Sequence, residues 1–324
     1  MNLKVVVTDY AFADLSIEQS VLAGTGCELT GRQCKSEVDL LDLCSDAEAV
    51  ITQFARVDAN VIAGMARAKV IVRYGIGVDN VDLEAARARG IPVCNVPDYC
   101  VDEVADHTLA FILASTRQVV PHTNYLRSGK WGLVGTLAGL KALAQVTVGV
   151  VGFGRIGREV VRRLASFKCA IKVFDPLVPA EEILKLEAQP ASFEEVLQAA
   201  DVLTLHCPST PQTRKMVNRD ALAKLKPGAI LINVGRGDLV DVPALTAALE
   251  SGHLSAAALD VFDPEPIPAD HPILKMPNVL LTPHIASASP TAVHKLRTAA
   301  ADLALRAVRG QPLPHIVNGV PGRS

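Results

Sequence analysis

The sequence predicts an α/β protein built as two parallel-sheet domains with a cleft between them, on three observations. Short β-branched or aliphatic runs alternate with helical patterns along most of the chain, as βαβ units do and hairpins do not. A longer amphipathic stretch beginning near Val101 stands between two such series. The length of 324 residues, 49% of them apolar, supplies about two domains at roughly 100–200 residues each.

In the first series, strands are expected at Lys4–Thr8, Ala49–Thr52, Val70–Arg73 and Pro92–Asn95, with helices around Ile17–Ala23, Ala59–Met65 and Leu83–Arg89. The long helix opens on Val101-Asp102-Glu103, an acidic start that suits the helix dipole, and runs through Leu109, Ile112 and Leu113 toward Arg117. Strands follow at Val146–Val151, Ala170–Asp175, Asp201–Cys207, Ala229–Val234, Ala256–Val261 and Val279–Thr282. A last helical stretch, Ala292 to Arg309 behind Pro290, is expected to cross back to the first domain, because the tail Pro312–Gly322 is too short to build anything alone. The expected domains are therefore 1–100 with 290–324, and 101–289. Clefts between domains are favoured ligand sites.

The stretch Val146–Gly157 reads V-T-V-G-V-V-G-F-G-R-I-G, a buried-strand pattern running straight into the spacing G-x-G-x-x-G. A helical pattern follows in Glu159, Val160, Val161, Leu164 and Phe167. This unit is Rossmann-like and nominates a dinucleotide site: Gly152 makes the tight turn, Gly154 admits a pyrophosphate to the backbone, and Gly157 lets helix and strand pack closely. The phosphates would sit on the free N–H groups at the helix start. The next strand ends at Asp175, 18 residues after Gly157, where a ribose-binding carboxylate is expected. A carboxylate repels a 2′-phosphate, and Pro176 and Leu177 offer no cation, so NAD (NADH) is expected over NADP. The other reading of Asp175 is a turn cap ahead of Pro176.

Composition narrows the class further. A net charge of −2 argues against a nucleic-acid footprint, and no run approaches the ~20 apolar residues of a membrane span. Met1 to Val7 lacks the features of a signal peptide. The seven cysteines are scattered and form neither C-x-x-C nor a metal spacing, so no metal is expected, and a reducing, cytoplasmic setting is. Most should be buried small hydrophobes.

Three strand ends in the second half finish on polar residues of catalytic type: Asn233-Val-Gly-Arg236-Gly, Asp260-Val-Phe-Asp-Pro-Glu265-Pro and Thr282-Pro-His284. In open parallel sheets, strand carboxyl ends are where ligands bind. Together with Arg73-Tyr-Gly-Ile-Gly-Val-Asp79-Asn80-Val-Asp82 and the glycine-rich turn, they closely resemble the D-isomer-specific 2-hydroxyacid dehydrogenases, including the phosphoglycerate dehydrogenase and C-terminal-binding-protein branches. The resemblance runs from the first strand to about Val320.

That resemblance implies hydride transfer between a nicotinamide and C2 of a small D-2-hydroxy or 2-keto acid, carried by an Arg, a Glu and a His that match Arg236, Glu265 and His284. The chemistry explains the residue types. Ketone reduction builds negative charge on the oxygen, so a proton donor titrating near neutral pH is needed, which suits His284. A carboxylate on that imidazole, Glu265, would orient it and favour its protonated form. A guanidinium, Arg236, would clamp the substrate carboxylate with paired hydrogen bonds and polarise the carbonyl. Taken singly, Arg236 reads equally as a turn residue, Glu265 as a loop acid and His284 as a cap.

The same resemblance implies a second carboxylate anchor in Gly75-Ile76-Gly77, where the N–H groups of Ile76 and Gly77 converge as a nest. Arg73 and Tyr74 would join them at the substrate, although Arg73 equally suits a surface ion pair. Arg155 and Ile156 would lie in the phosphate loop, and Cys207, Pro208 and Thr213 beside the adenine end. Val234, Gly235, Asp260 and Ala286 would approach the nicotinamide, with Asp260 on its carboxamide, and Thr108 would reach it from the long helix. Cys207 has the commoner alternative of a packed strand-end residue.

Several positions depart from relatives. Thr52 stands where phosphoglycerate-directed members often carry an Arg, with Arg56 displaced further along, which argues against a phosphorylated substrate. Ile285-Ala286-Ser287 lacks the large aromatic of the corepressor branch. The Glu–His pairing differs from the Gln–His pairing of formate dehydrogenases. Leu143-Ala144-Gln145 replaces a common Gly-Lys turn. With the resemblance ending near Val320, the serine-sensing feedback domain of some relatives is not expected. The alternative function is an NAD(H)-sensing protein-interaction module of the corepressor type with vestigial catalysis. On either account a homodimer is expected through about Asp102–Leu143, where Trp131 is either an interface residue or a core anchor. Domain closure would exclude water before hydride transfer.

Overall fold

In the computed structural model, residues Leu3–Pro321 are described; residues 1, 2 and 322–324, which the expected domain bounds and the tail reach, lie outside them. The chain divides into two compact units, Met1–Tyr99 with Ser289–Ser324, and Cys100–Ala288. In chain order the first unit contributes β1 (Leu3–Val7), α1 (Ser16–Leu22), β2 (Cys27–Gly31), α2 (Glu37–Cys44), β3 (Ala49–Thr52), α3 (Ala59–Gly64), β4 (Val70–Arg73), α4 (Leu83–Ala88) and β5 (Val93–Cys94). The second holds α5 (Val101–Thr116), α6 (Val119–Arg127), β6 (Thr147–Val151), α7 (Arg155–Ala165), β7 (Ala170–Phe174), α8 (Ala180–Leu184), β8 (Gln189–Pro190), α9 (Phe193–Ala199) and β9 (Val202–Leu205). It continues through α10 (Arg219–Lys224), β10 (Ala229–Asn233), α11 (Val242–Glu250), β11 (Leu254–Leu259) and β12 (Val279–Leu281), and α12 (Pro290–Val308) returns to the first unit.

The first unit is a five-stranded parallel sheet in the order β2-β1-β3-β4-β5. Its strands read as continuous apolar runs because both faces are covered. Val5, Val7, Ile51, Val70 and Val72 face one core with α12 residues Leu296, Ala300 and Ala304. Val6, Val50 and Ile71 face the other with Leu40, Leu43, Val61 and Ile62. The period-two alternation thus builds two cores from one strand set. An ion pair is buried in this unit: Glu18, 0% exposed, takes Arg297 Nε at 2.8 Å and Nη2 at 2.6 Å.

The second unit is a seven-stranded parallel sheet, β12-β11-β10-β9-β6-β7-β8. Strand order reverses between β6 and β9, and a sheet of this kind opens a crevice at the carboxyl ends of the two strands flanking such a switch. Arg163 on α7 pairs with Asp102 at 2.7 Å and Asp106 at 2.8 Å, tying α5 across it.

The edge strands β2 and β8 and the helix α2 are absent from the sequence reading, which also gives no range to α6, α8, α9, α10 or α11. The edge strands are half-exposed or two residues long, so they carry little of the apolar pattern. The helix α2 was marked only by its Ser36/Asp39 capping box. The long helix ends where expected, but Gln118 at φ 50 breaks it from α6. No residue of α6 is buried, and Trp131 is 90% exposed, which overturns its reading as a core anchor. All seven cysteines are free thiols. Among the described residues, no helix is long and apolar enough to cross a membrane, and no group of acidic, His or Cys side chains could hold a metal.

Asp201, at the start of β9, accepts from Thr147 N at 2.9 Å, Lys141 Nζ at 3.0 Å and Lys226 Nζ at 3.2 Å. Burial would raise its carboxyl, but these three donors outweigh it and hold the group below its ordinary 3.8. A depressed carboxyl stabilises the fold above its unfolded-state value and loses that contribution as pH falls through the folded one. Asp201→Asn should therefore cost about 1.5–3 kcal/mol at neutral pH, and the deficit against wild type in urea melts should shrink below about pH 4.

Candidate active site

The glycine-rich turn sits at the β6/β9 switch. Gly152 has φ +95, and a Cβ there would stand 2.6 Å from Cys207 N; a Cβ on Gly157 would fall on Gly152 O. Both positions need glycine, one for conformation and close approach, the other for the contact of α7 with its turn. Gly154 differs, since nothing lies within 4 Å of where its Cβ would be. That open space, at the uncapped start of α7, fits a pyrophosphate on helix N–H groups. Arg155 is exposed there and Ile156 is half-buried.

Asp175 makes the turn foreseen for it and takes a second, bracing role that the sequence did not signal. Its Oδ1 accepts from Leu177 N at 2.8 Å, making the turn, and its Oδ2 accepts from Phe153 N at 2.7 Å, bracing the glycine-rich loop. Carboxylate oxygens carry further lone pairs, so ribose hydroxyls can still be accepted. At the end of β9, Cys207 packs against the core of the second unit, and burial pushes its thiol up to about 11. Pro208 O accepts from Thr213 Oγ1 at 2.7 Å, shaping the loop that follows.

His284 and Glu265 meet: His284 Nδ1 lies 2.7 Å from Glu265 Oε2, and Glu265 Oε1 accepts from Phe262 N at 2.8 Å. Burial alone would raise the Glu265 carboxyl. The His284 hydrogen bond, the Phe262 N–H, and the charges of His284 and Arg236 outweigh it and hold it below the usual value. An ionised Glu265 makes Nδ1 the protonated nitrogen, which leaves Nε2 to hold or release a proton. Both side chains are about one-third exposed, at 32% each.

The turn bearing His284 is held from beneath. His284 has φ 53, unusual for a residue with a Cβ. Its N–H donates to Asp260 O at 2.7 Å, while Ile285 N and Ala286 N donate to the Asp260 carboxylate at 2.8 and 2.9 Å. Asp260 is 1% exposed and Ala286 is 5% exposed. Asp260 therefore holds the turn. Arg236 is set by Asn233, whose side chain donates to Arg236 O at 2.8 Å and accepts from Gly235 N at 3.1 Å, with Val234 buried between them. Asn233 was not picked out as a site-forming residue; its place at a strand end two and three residues before its partners was the available signal.

Two expected ligand contacts are taken up inside the fold. Thr108 is fully buried and returns its hydroxyl to Val104 O in α5 at 2.7 Å, as helical threonines do. Tyr74 is 1% exposed and donates its hydroxyl to Glu18 at 2.8 Å, so only its backbone borders the loop after β4. In that loop, Asn95 Nδ2 donates to Ile76 O at 2.6 Å, and the Arg73 guanidinium lies over Gly75. Asp9, missed by sequence reasoning, accepts from Gln53 N and Phe54 N at 3.0 and 2.6 Å at the β1/β3 switch. Thr52 is buried against it, with no surface to offer a ligand.

Residues 109–286 match the model of the D-isomer specific 2-hydroxyacid dehydrogenase, NAD binding domain. The chain belongs to the D-isomer-specific 2-hydroxyacid dehydrogenase family. Its second unit is the NAD-binding domain, and a nicotinamide nucleotide is its cofactor. The chain is 37% identical to the D-3-phosphoglycerate dehydrogenase of Mycobacterium leprae over 98% of its own length, but spans only 59% of that protein. It spans about half the length of several other phosphoglycerate dehydrogenases it matches, as with 52% of the Mycobacterium bovis protein. It is 37% identical to a glyoxylate reductase of Pyrococcus furiosus, covering 86% of this chain and 84% of that one. A solved NADPH-dependent glyoxylate/hydroxypyruvate reductase of Sinorhizobium meliloti, in complex with NADP and malonate, superposes with a TM-score of 0.88 at 28% identity over 100% and 99% of the two chains.

Gly157→Ala should destabilise the second unit by about 1–3 kcal/mol through overpacking and weaken NADH binding, read by thermal melts with and without nucleotide. A loss of stability with NADH affinity kept would detach the turn from the cofactor.

Proposed function

We propose that this protein is an NAD-dependent D-2-hydroxyacid dehydrogenase acting on a small unphosphorylated 2-hydroxy or 2-keto acid. The observation that carries the proposal is the 2.7 Å His284–Glu265 pair within the field of Arg236, at strand ends of an NAD-binding domain. Bound NADH supplies the hydride. Arg236 clamps the substrate carboxylate and polarises the carbonyl; the N–H groups of Ile76 and Gly77, with Arg73, are further carboxylate anchors. His284 Nε2 delivers the proton to the developing alkoxide, and Glu265 stabilises the imidazolium and keeps Nδ1–H in place. Gly152, Gly154, Arg155, Ile156 and Gly157 take the pyrophosphate; Pro208 and Thr213 border the adenine side, and Val234, Gly235 and Ala286 the nicotinamide side.

Asp175, with Pro176 and Leu177 behind it, supports NAD over NADP. Buried Thr52 gives a substrate phosphate no cation at that position. The sensing-module alternative is not favoured, because the named relatives are dehydrogenases and reductases. A homodimer through α6 and the segment after it is supported by exposed Val119, Leu126, Trp131 and Leu137. Seven free thiols support a cytoplasmic setting.

The test is NADH oxidation against glyoxylate, hydroxypyruvate, pyruvate, branched and aromatic keto acids and phosphohydroxypyruvate, with NADPH in parallel. An unphosphorylated keto acid should be reduced, and NADH preferred; tight NADH binding without turnover on any would overturn the reading. His284→Ala should lower kcat/KM about 10²–10⁴-fold with NADH affinity retained. Asp175→Ala should move the NADPH/NADH ratio of kcat/KM upward by about fivefold or more, the scale of one removed like-charge contact.

A further inference from the structure

We propose that His107, on α5, is a positioning residue for His284 and acts through Thr282 and Asp260. The functional half of this inference rests on His284 being the proton donor. His107 Nε2 lies 3.1 Å from Thr282 Oγ1, Thr282 Oγ1 lies 2.6 Å from Asp260 Oδ1, and that same oxygen accepts from Ile285 N at 2.8 Å. The direction of each bond follows from what the groups can do. Asp260 Oδ1 already accepts from a backbone N–H, so Thr282 turns its single O–H to it and keeps only lone pairs for His107. His107 must then carry its proton on Nε2, and it is the fixed donor at the head of the chain. Its ring is held edge-on against Phe111, with centroids 4.5 Å apart at 73°.

The relay ends on the turn that holds His284 in its left-handed conformation. Among the described residues, the Asp260 carboxylate takes the Thr282 hydroxyl and the N–H groups of Ile285 and Ala286, the two residues directly after His284. Polar groups in series polarise one another when buried. Removing the His107 donor frees Thr282 to rotate, which deprives Asp260 Oδ1 of its O–H and loosens the grip on Ile285. The imidazole then loses its fixed angle to Glu265.

The experiment compares His107→Leu, His107→Gln, Thr282→Val, Thr282→Ser and the double variant His107→Leu/Thr282→Val. Two readouts are used: kinetics on whichever keto acid the wild type reduces, and the ¹⁵N imidazole shifts of His284, assigned with His284→Ala. The Leu and Val variants should each lower kcat about tenfold with KM for NADH changed less than about twofold, and should shift the His284 resonances. His107→Gln and Thr282→Ser, which keep a donor and a hydroxyl, should restore both. The double variant should be no worse than either single one, because one relay can be broken only once. Multiplying losses, or unchanged His284 shifts in folded His107→Leu, would overturn the relay. Should His107→Leu fail to fold, the near-isosteric Thr282→Val decides on the same readouts. If the wild type reduces no keto acid, the catalytic reading of His284 falls, while the NMR comparison still decides whether His107 positions the ring.

Discussion

A parallel sheet brings every strand's carboxyl end to the same edge, and the candidate site depends on that constraint. In the second unit the glycine-rich turn follows β6, Asp175 follows β7, Cys207 follows β9, Arg236 follows β10, Glu265 follows β11 and His284 follows β12. Each lies one to six residues past the end of its strand, so the parallel sheet carries residues far apart in the chain to one edge. The switch in strand order between β6 and β9 then determines where along that edge the backbone parts enough to admit a nucleotide.

A second regularity is the use of aspartates as clamps on backbone N–H groups. Asp9 holds the loop after β3, Asp175 the glycine-rich turn, Asp201 the start of β6 and Asp260 the turn of His284. Each stands at the end of one strand, or just before the next, and reaches a segment on a neighbouring one. A carboxylate accepts several hydrogen bonds at once, and charge-assisted bonds are stronger than neutral ones, so one side chain fixes a loop that would otherwise expose unpaired N–H groups. Chemistry and scaffold draw on the same residue type at these edges: Glu265 orients an imidazole while also taking the Phe262 N–H. Glu265 and the turn beneath His284 together fix the angle of the imidazole.

The sequence by itself determined the alternation of strands and helices, the glycine-rich turn and the strand-end Arg, Glu and His, because each of these is written in a run of a few consecutive residues. It did not determine which carboxylates serve as clamps. Asp9 reaches Phe54 across 45 positions, Glu18 reaches Arg297 across 279, and His107 reaches Thr282 across 175, and no local pattern relates such pairs. For the same reason Thr108 and Tyr74 read as ligand contacts until the packing around them was known: their hydroxyls have partners in Val104 and Glu18. Periodicity and motif spacing specify local backbone form, which depends on near neighbours in the chain. Which polar group is buried, and what it bonds there, is decided only when distant segments fold together and every buried donor and acceptor must find a partner.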